Sequence, residues 1–351
     1  MLSYVIVGSG YRAEYFARIA VKHPGLFRAM FLCRSAEKAA AVSARTGVPA
    51  SVSLEEALDF RPDFAVIAVD REHVGDVAAE WAERGFPVVT ETPAGSTVEK
   101  MKRLWALSRD KGAKIVCCEQ YHRYPVLANG LRQVAEGRVG TPASAYLSLA
   151  HDYHGISLIR RMLGVQDEGY TLRGVRSTAS VEATDSRYGA ILDGSRAEEV
   201  RDTVHITFAS GKTAVYDFAP TQYRTFLRSR HLTVRGDRGE WSDRLITCVD
   251  EEHRPQRFFV MPEIDARYRA LDSQALRDIR KTWTPELFLD TEQDEFAIAS
   301  ILLDMESYLA GGPSPYPLEE ALEDGYFWLL LNEAVSRPFE AVEAQPMPWR
   351  G

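Results

Sequence analysis

Residues 4–13 read Tyr4-Val5-Ile6-Val7-Gly8-Ser9-Gly10-Tyr11-Arg12-Ala13, an apolar run that breaks into two glycines and then takes on helical spacing. Tyr4 to Val7 are mostly β-formers and predict a buried strand, while Ala13, Phe16, Ala17, Ile19 and Ala20 place small and apolar side chains on one helical face. Gly8 permits the tight turn between them. Gly10 lets backbone N–H groups approach a pyrophosphate, and Ala13, in the third small position, lets the helix pack close to the strand. An anion seated there rests on a helix N-terminus, where unpaired donors and the dipole favour negative charge. The stretch predicts a dinucleotide site built from Gly8, Ser9, Gly10, Tyr11 and Arg12, with a plain strand-to-helix turn as the alternative.

Outward from this stretch, strand and helix alternate. Phe27 to Cys33 reads as a second strand and Ala36 to Thr46 as a helix that stops at Gly47. Ser53 with Glu56 three residues on forms a capping-box pattern. Phe64 to Val69 is a continuous apolar run of the buried parallel type. A helix to Gly85, a strand from Phe86 to Thr90, the break Glu91-Thr92-Pro93, a helix from Val98 to Lys111 and a strand from Lys114 to Cys118 follow. This alternation predicts an α/β, doubly wound parallel sheet of Rossmann type over residues 1–120.

The rhythm then changes. A helix from Val126 to Glu136, a strand from Ala143 to Ala150 and a helix from Ile156 to Leu163 lead into antiparallel segments. Val204, Ile206 and Phe208 alternate with polar residues, Ser210-Gly211 turns, and Thr213 to Phe218 returns; Leu232 and Val234 belong to another such strand. A helix is expected from Ile264 to Lys281. Thr291 and Asp294 are candidate caps of a helix with an apolar stripe at 298, 302, 305 and 309, and Pro317 opens a last helix through Ala334. Residues 121–351 are therefore expected to form an α+β domain for substrate and assembly, its last helices free to pack back on the first.

With 351 residues, 45% hydrophobic and 26% charged, the chain can build two cores. A net charge of -8 argues against a nucleic-acid surface, and Arg224, Arg228 and Arg230 read as a solvated face. No apolar run reaches the length of a membrane span and the opening strand leaves no room for a leader, so a cytoplasmic location is expected. Cys33, Cys117, Cys118 and Cys248 show no regular spacing and read as reduced thiols. His151-Asp152-Tyr153-His154 offers two imidazoles without a clear third ligand, so no metal site is expected.

Cofactor choice rests on the end of the second strand, where NAD-preferring folds carry an Asp or Glu for the 2'-hydroxyl. Cys33 stands there instead. Arg34, Ser35 and Lys38 follow, offering a guanidinium, a hydroxyl and an ammonium to a 2'-phosphate. NADP(H) is the expected cofactor; if Arg34 merely faces solvent, NAD(H) is the alternative.

Taken together, these motifs resemble the Gfo/Idh/MocA oxidoreductases over nearly the full length. The resemblance is carried by Gly8 to Ala13, Asp70-Arg71-Glu72-His73, Glu91-Thr92-Pro93, Arg123-Tyr124-Pro125, His154 before Leu158 to Gly164, and Pro317-Leu318-Glu319-Glu320-Ala321. It implies an N-terminal Rossmann domain, a C-terminal domain with a large mostly antiparallel sheet, and hydride exchange with a nicotinamide at a carbon bearing oxygen. It also implies that Val69, Asp70, His73, Glu91, Thr92, Pro93 and Arg123 help to hold the cofactor, and that a homodimer or homotetramer forms through the sheet. The departures are specific. Thr92 replaces the lysine of the family's Glu-Lys-Pro, Ala150 replaces the aspartate four residues before His154, and Ser157 replaces a second aspartate three residues after it.

Oxidising an alcohol needs a base and reducing a carbonyl or imine needs an acid. His154 has a side chain suited to either role, with Tyr153 and His122 as the next candidates and Tyr121, His151 and Asp152 close by. Glu119, just past a strand end, reads as an acid or as an exposed residue. The expected activity is an NAD(P)-dependent oxidoreductase acting on a small polar, sugar-derived substrate. The alternatives are an NADPH-dependent reductase of a C=N or activated carbonyl group, and a cofactor-binding sensor without turnover.

Overall fold

The computed structural model describes residues 1–186, 189–273, 291–345 and 347–350. Two sheets dominate it. The first takes β1 Leu2–Val7, β2 Phe27–Leu32, β3 Ala50–Ser51, β4 Phe64–Ile67, β5 Val88–Thr90 and β6 Ile115–Cys117, in the order β3-β2-β1-β4-β5-β6. Every pairing in it is parallel. This order reverses between β2-β1 and β4, so a crevice opens at the carboxyl ends of β1 and β4, where such sheets bind their ligands.

The connecting helices are α1 Tyr11–Lys22, α2 Ala36–Thr46, α3 Leu54–Asp59, α4 Val74–Glu83 and α5 Val98–Lys111. Their ends follow local chemistry. The Ser35 hydroxyl accepts from the Lys38 N–H to start α2, Thr97 does the same for α5, and Gly47 and Gly112 end these helices in the left-handed region. The expected capping box at α3 forms only by half. Ser53 accepts from the Glu56 N–H, but the Glu56 carboxylate receives the Ser51 hydroxyl at 2.6 Å instead of turning back to Ser53. Tyr4 pins α1 to the sheet, its hydroxyl donating to the Phe16 carbonyl at 2.8 Å while its ring stacks on Phe64.

Beyond β6 come a 3-10 turn at Tyr121–Arg123, α6 Pro125–Ala135, β7 Pro142–Ser148 and α7 Asp152–Leu163. The strands β8 Tyr170–Glu182, β9 Asp185–Ser186, β10 Gly189–Ala190, β11 Arg196–Phe208, β12 Thr213–Phe218, β13 His231–Gly236, β14 Gly239–Ser242, β15 Leu245–Val249, β16 Pro255–Phe259 and β17 Val342–Glu343 follow, with α8 Thr291–Leu309 and α9 Leu318–Ser336. All but β9 and β10 join a nine-stranded sheet, β16-β15-β14-β13-β7-β12-β11-β8-β17. Only β12 with β7 is parallel. The expected helix from Ile264 is instead a 3-10 turn at Ala266–Leu271, and its part from residue 274 lies outside the described residues.

One face of the larger sheet packs under α7 and α9, burying Val204, Ile206, Phe208, Ala214, Tyr216 and Phe218. Each fully buried Val, Ile or Phe among them is worth roughly 1.5–3 kcal/mol. The opposite face is mostly polar, carrying Arg173, Thr203, His205, Thr207 and Thr213 beside the half-buried Val175 and Val215. The buried apolar residues of these strands are therefore covered by the chain's own helices. Helix α7 is buried on nearly every side, because it lies between this sheet and the end of the first one.

Helix α8 returns to α1. Arg18 donates to Glu295 at 2.6 Å, Lys22 to Glu292 at 2.7 Å, and Arg12 pairs with Asp294 at 2.8 Å. Asp294 lies in the first turn of α8 and its other oxygen accepts from Gln120 and from the Tyr124 hydroxyl, both at 2.9 Å. This buried carboxylate ties three segments together, a role beyond that of a helix cap.

Candidate active site

The glycine turn opens on a groove of about 800 Å³ lined by Val7, Gly8, Ser9, Gly10, Tyr11, Arg12, Cys33, Arg34, Lys38, Val69 and Asp70, among others. Gly8 has φ +126°, and a Cβ there would stand 2.2 Å from the Ala68 carbonyl oxygen, so the close approach of β1 to β4 needs glycine. Gly10 has an ordinary φ of -82°, and a Cβ on it would meet nothing within 4 Å. The space beside Gly10 at the N-terminus of α1 is the cradle a pyrophosphate would fill, and these residues fit a dinucleotide.

At the far end of the groove, Cys33 is buried and hydrogen-bonds with Ser9, and burial pushes its thiol pKa up. Arg34 and Lys38 also line the groove, as do Glu80 of α4 and Arg84 just after it; Arg34, Lys38 and Arg84 have no ion-pair partner among the described residues. Arg45 is also there but is held by Glu14 at 2.8 Å. Ser35 caps α2 with its hydroxyl.

Thr92 lies past β5, where the Thr92–Pro93 peptide is cis. Its Oγ1 stands 3.5 Å from His154 Nε2 on α7. The other ring nitrogen, Nδ1, lies 2.5 Å from Glu119 Oε2. Both side chains are almost fully enclosed, 6% and 2% exposed. Glu119 Oε1 accepts from the Tyr121 N–H at 3.2 Å, and the Tyr121 ring packs 4.6 Å from the imidazole. Burial pushes the Glu119 pKa up to about 8, against the opposing pull of the Tyr121 N–H and Arg161. Burial, reinforced by Arg12 and Arg71, holds His154 well below the usual histidine range. Both shifts favour an uncharged pair joined by one proton.

His151 packs edge-on against His154 with ring centres 4.8 Å apart, its Nδ1 2.5 Å from the Tyr223 hydroxyl. Tyr153 stands beside His154 with ring centres 4.6 Å apart, and burial pushes its phenol up to about 12. Arg71, from the turn after β4, reaches the Tyr153 hydroxyl at 3.4 Å and Asp152 at 3.6 Å and lies over the Tyr153 and Trp328 rings. Asp152 has φ +46°, a left-handed backbone at the first residue of α7, and its N–H donates to the Tyr216 hydroxyl at 2.9 Å. Burial raises its carboxyl to about 6. Such strain persists where surrounding contacts enforce it.

The structure thus brings Thr92, Tyr153 and His154 together with Glu91, whose carboxylate accepts from Arg12 at 3.2 Å. Pro93 is buried beside them. Three expected residues lie elsewhere. His122 packs on Tyr316 with ring centres 5.4 Å apart, and Arg123 is bound by Asp304, Tyr268 and the Pro315 carbonyl; both line a separate cavity near Tyr268. The 3-10 turn after β6 points this stretch away from the glycine groove. His73 is exposed at the start of α4; like Glu91, Thr92, Pro93, Tyr153 and His154, it is not among the residues lining the groove.

The residue that the sequence left undecided is Glu119. Its signal is a lone carboxylate directly after the apolar run Ile115 to Cys118, at the carboxyl end of a parallel strand. Ser157 and Ala150 supply no carboxylate to His154: the Ser157 hydroxyl bonds Tyr316 at 2.8 Å and Ala150 is fully buried.

Residues 2–118 match the family model described as Gfo/Idh/MocA, oxidoreductase family, NAD-binding Rossmann fold. No curated protein matches the sequence. Among solved structures, a levoglucosan dehydrogenase in complex with NADH and levoglucosan is 16% identical with a TM-score of 0.71, covering 97% of this chain and 99% of that one. An NAD-binding oxidoreductase from Klebsiella pneumoniae is 14% identical with a TM-score of 0.70, over 98% and 99%. An oxidoreductase from Agrobacterium radiobacter in complex with NAD+, L-tartaric acid and magnesium is 14% identical with a TM-score of 0.71, over 97% and 98%. The order of the parallel strands and the large, mostly antiparallel second sheet thus give the whole chain the fold of these oxidoreductases, and residues 2–118 match the Rossmann part of the Gfo/Idh/MocA family.

Proposed function

We propose that this chain is a nicotinamide-dependent oxidoreductase acting on a small polar, sugar-derived substrate, with a division near residue 120 between the part that holds the cofactor and the part that holds the substrate. The observation that carries the reading is His154 Nε2 set 3.5 Å from Thr92, just past β5 of a Rossmann sheet that opens with a glycine turn. The cofactor, when bound, supplies hydride exchange; His154 supplies or removes the proton that must accompany it. The known dehydrogenases of this fold, one of them bound to levoglucosan, support a hydroxylated substrate.

NADP(H) is favoured over NAD(H). Arg34 and Lys38 in the groove lining, with Cys33 in place of a carboxylate, support a 2'-phosphate reader. Fluorescence titration should show NADPH binding more tightly than NADH, and Arg34→Ala should weaken NADPH alone. Equal affinities in the unaltered protein would remove this preference.

A second reading, reduction of a C=N or activated carbonyl group, is favoured by the Glu119–His154 pair. With the Glu119 pKa raised to about 8, the pair retains a proton at neutral pH and is poised as a donor. NADPH oxidation measured at pH 7 against imine and keto substrates, beside NADP+ reduction against sugars at pH 9, separates the two directions. The assembly belongs to the same reading: two or four copies associate through the larger sheet.

A further inference from the structure

We propose that Glu119 is the proton partner of His154, so that the two side chains, joined through Oε2 and Nδ1, work as one acid–base unit whose reacting atom is Nε2. The inference rests on the oxidoreductase reading above for its substrate, and on geometry for the pair itself. Glu119 comes from the end of β6 and His154 from the first turns of α7; the 2.5 Å contact between them is enclosed on every side, and the remaining ring nitrogen faces Thr92. A carboxylate on Nδ1 fixes which nitrogen carries the proton and thereby what the other can do.

The proton steps balance in both directions. In oxidation, the substrate O–H bond breaks and an Nε2–H bond forms; the Nδ1–H bond breaks and the Glu119 carboxyl gains that proton. The pair begins with one negative charge and ends neutral, while oxidised nicotinamide accepts the hydride. In reduction the same transfers run backwards and the substrate oxygen or nitrogen receives the Nε2 proton.

The surroundings set where this exchange occurs. Facing the pair are Arg12 from α1, Arg71 from the turn after β4, Tyr121 from the turn after β6, Arg161 from α7, Asp294 from α8, and Tyr316 with Asp324 ahead of and within α9. His151 and Tyr153 complete the enclosure at 4.8 and 4.6 Å between ring centres. His151 is held well below its usual range, chiefly by burial, and Tyr153 is raised to about 12, so neither changes charge near pH 8. The Glu119 pKa of about 8 then marks the pH above which Nε2 presents a lone pair and below which it presents a proton.

The test is nitrogen NMR of the full-length protein labelled at histidine, with His154 assigned by the signal lost in His154→Gln. Across pH 5.5 to 9.5, Nε2 should pass from protonated to unprotonated with a midpoint near 8. In Glu119→Gln that transition should be absent above pH 6.5, and turnover should fall by roughly 10²- to 10⁴-fold, the range for a positioned acid–base group, with substrate KM and NADPH affinity held. An identical midpoint in both proteins would overturn the pairing. If Glu119→Gln does not fold, the unaltered protein decides alone, a midpoint below 6.5 excluding a shared proton. A protein that binds neither NADPH nor NADH would refute the oxidoreductase reading and leave the titration intact.

Discussion

His154→Ala leaves the Thr92 hydroxyl without its imidazole neighbour and Glu119 without the nitrogen that shares its proton. Turnover should drop by roughly 10²- to 10⁴-fold, while cofactor affinity, set at the glycine turn and at Arg34, should change little. Turnover retained in full would remove the role from His154 and move it to Tyr153. Glu119 carries a second consequence, for stability. Its pKa is raised from an ordinary 4.5 to about 8, so between those values the folded chain binds the proton more tightly than the unfolded one, and stability falls as pH rises through that window. Glu119→Gln cannot ionise, so by calorimetry its melting temperature should match the native protein at pH 5 and exceed it at pH 9. Equal melting curves at both pH values would argue that the carboxyl is ionised throughout. The position of His154 ahead of the Leu158 to Gly164 helix was legible in the sequence, as a candidate acid–base side chain. Glu119 was not, since a carboxylate after a strand is exposed or buried according to what covers it, and here the cover comes from α7, 33 or more residues away in the chain.

At the scale of single elements, the opening turn lets folding and binding be separated. Gly8→Ala places a methyl 2.2 Å from the Ala68 carbonyl oxygen at a φ of +126° and should cost about 1–3 kcal/mol or more of stability, read by urea unfolding. Gly10→Ala meets no protein atom within 4 Å and keeps an allowed backbone, so its unfolding curve should stay with the native one. Its methyl occupies the cradle, and NADPH affinity should fall at least about tenfold, about 1.4 kcal/mol. An unchanged affinity in Gly10→Ala would place the pyrophosphate elsewhere. Elements ended by their own chemistry were readable in advance. Helices α2 and α5 run over the expected residues because Ser35, Gly47, Thr97 and Gly112 fix their ends locally. Helix α7 begins a turn before its apolar spacing, at Asp152, because its start is held by the Tyr216 hydroxyl, a contact no local pattern encodes. The long strand Tyr170–Glu182 was likewise missed: its outer half carries Arg176, Ser177, Thr178 and Ser180, and only pairing with β11 makes it a strand.

For the whole molecule, the alternation of residues 204–208 and 213–218 revealed strands but not which way their apolar side chains face. The helices α7 and α9 cover them, so the open face of the nine-stranded sheet is held by polar contacts, such as Arg201 with Asp217 at 2.9 Å and Tyr146 with Asp217 at 2.8 Å. Two of the most exposed large apolar side chains lie toward the end of the β8–β11 hairpin, while others such as Phe339 and Phe259 are on other segments. Leu192 is 93% exposed and Phe226 87%, and the Phe226 N–H is bound to the Thr184 hydroxyl at 2.8 Å. Large apolar side chains fixed in water mark an interaction site when they cluster. A second copy placed over the polar face and this hairpin end would form a two-fold interface with a polar centre and apolar edges. Sedimentation velocity at micromolar concentrations should therefore show a dimer or tetramer, and Leu192→Lys with Phe226→Lys should shift it toward monomer without lowering the melting temperature of the protomer. A native protein that sediments as a monomer throughout would defeat this arrangement. A dimer untouched by the double substitution would confine the contact to the polar strands themselves, where Thr203→Arg and Thr207→Arg become the deciding changes.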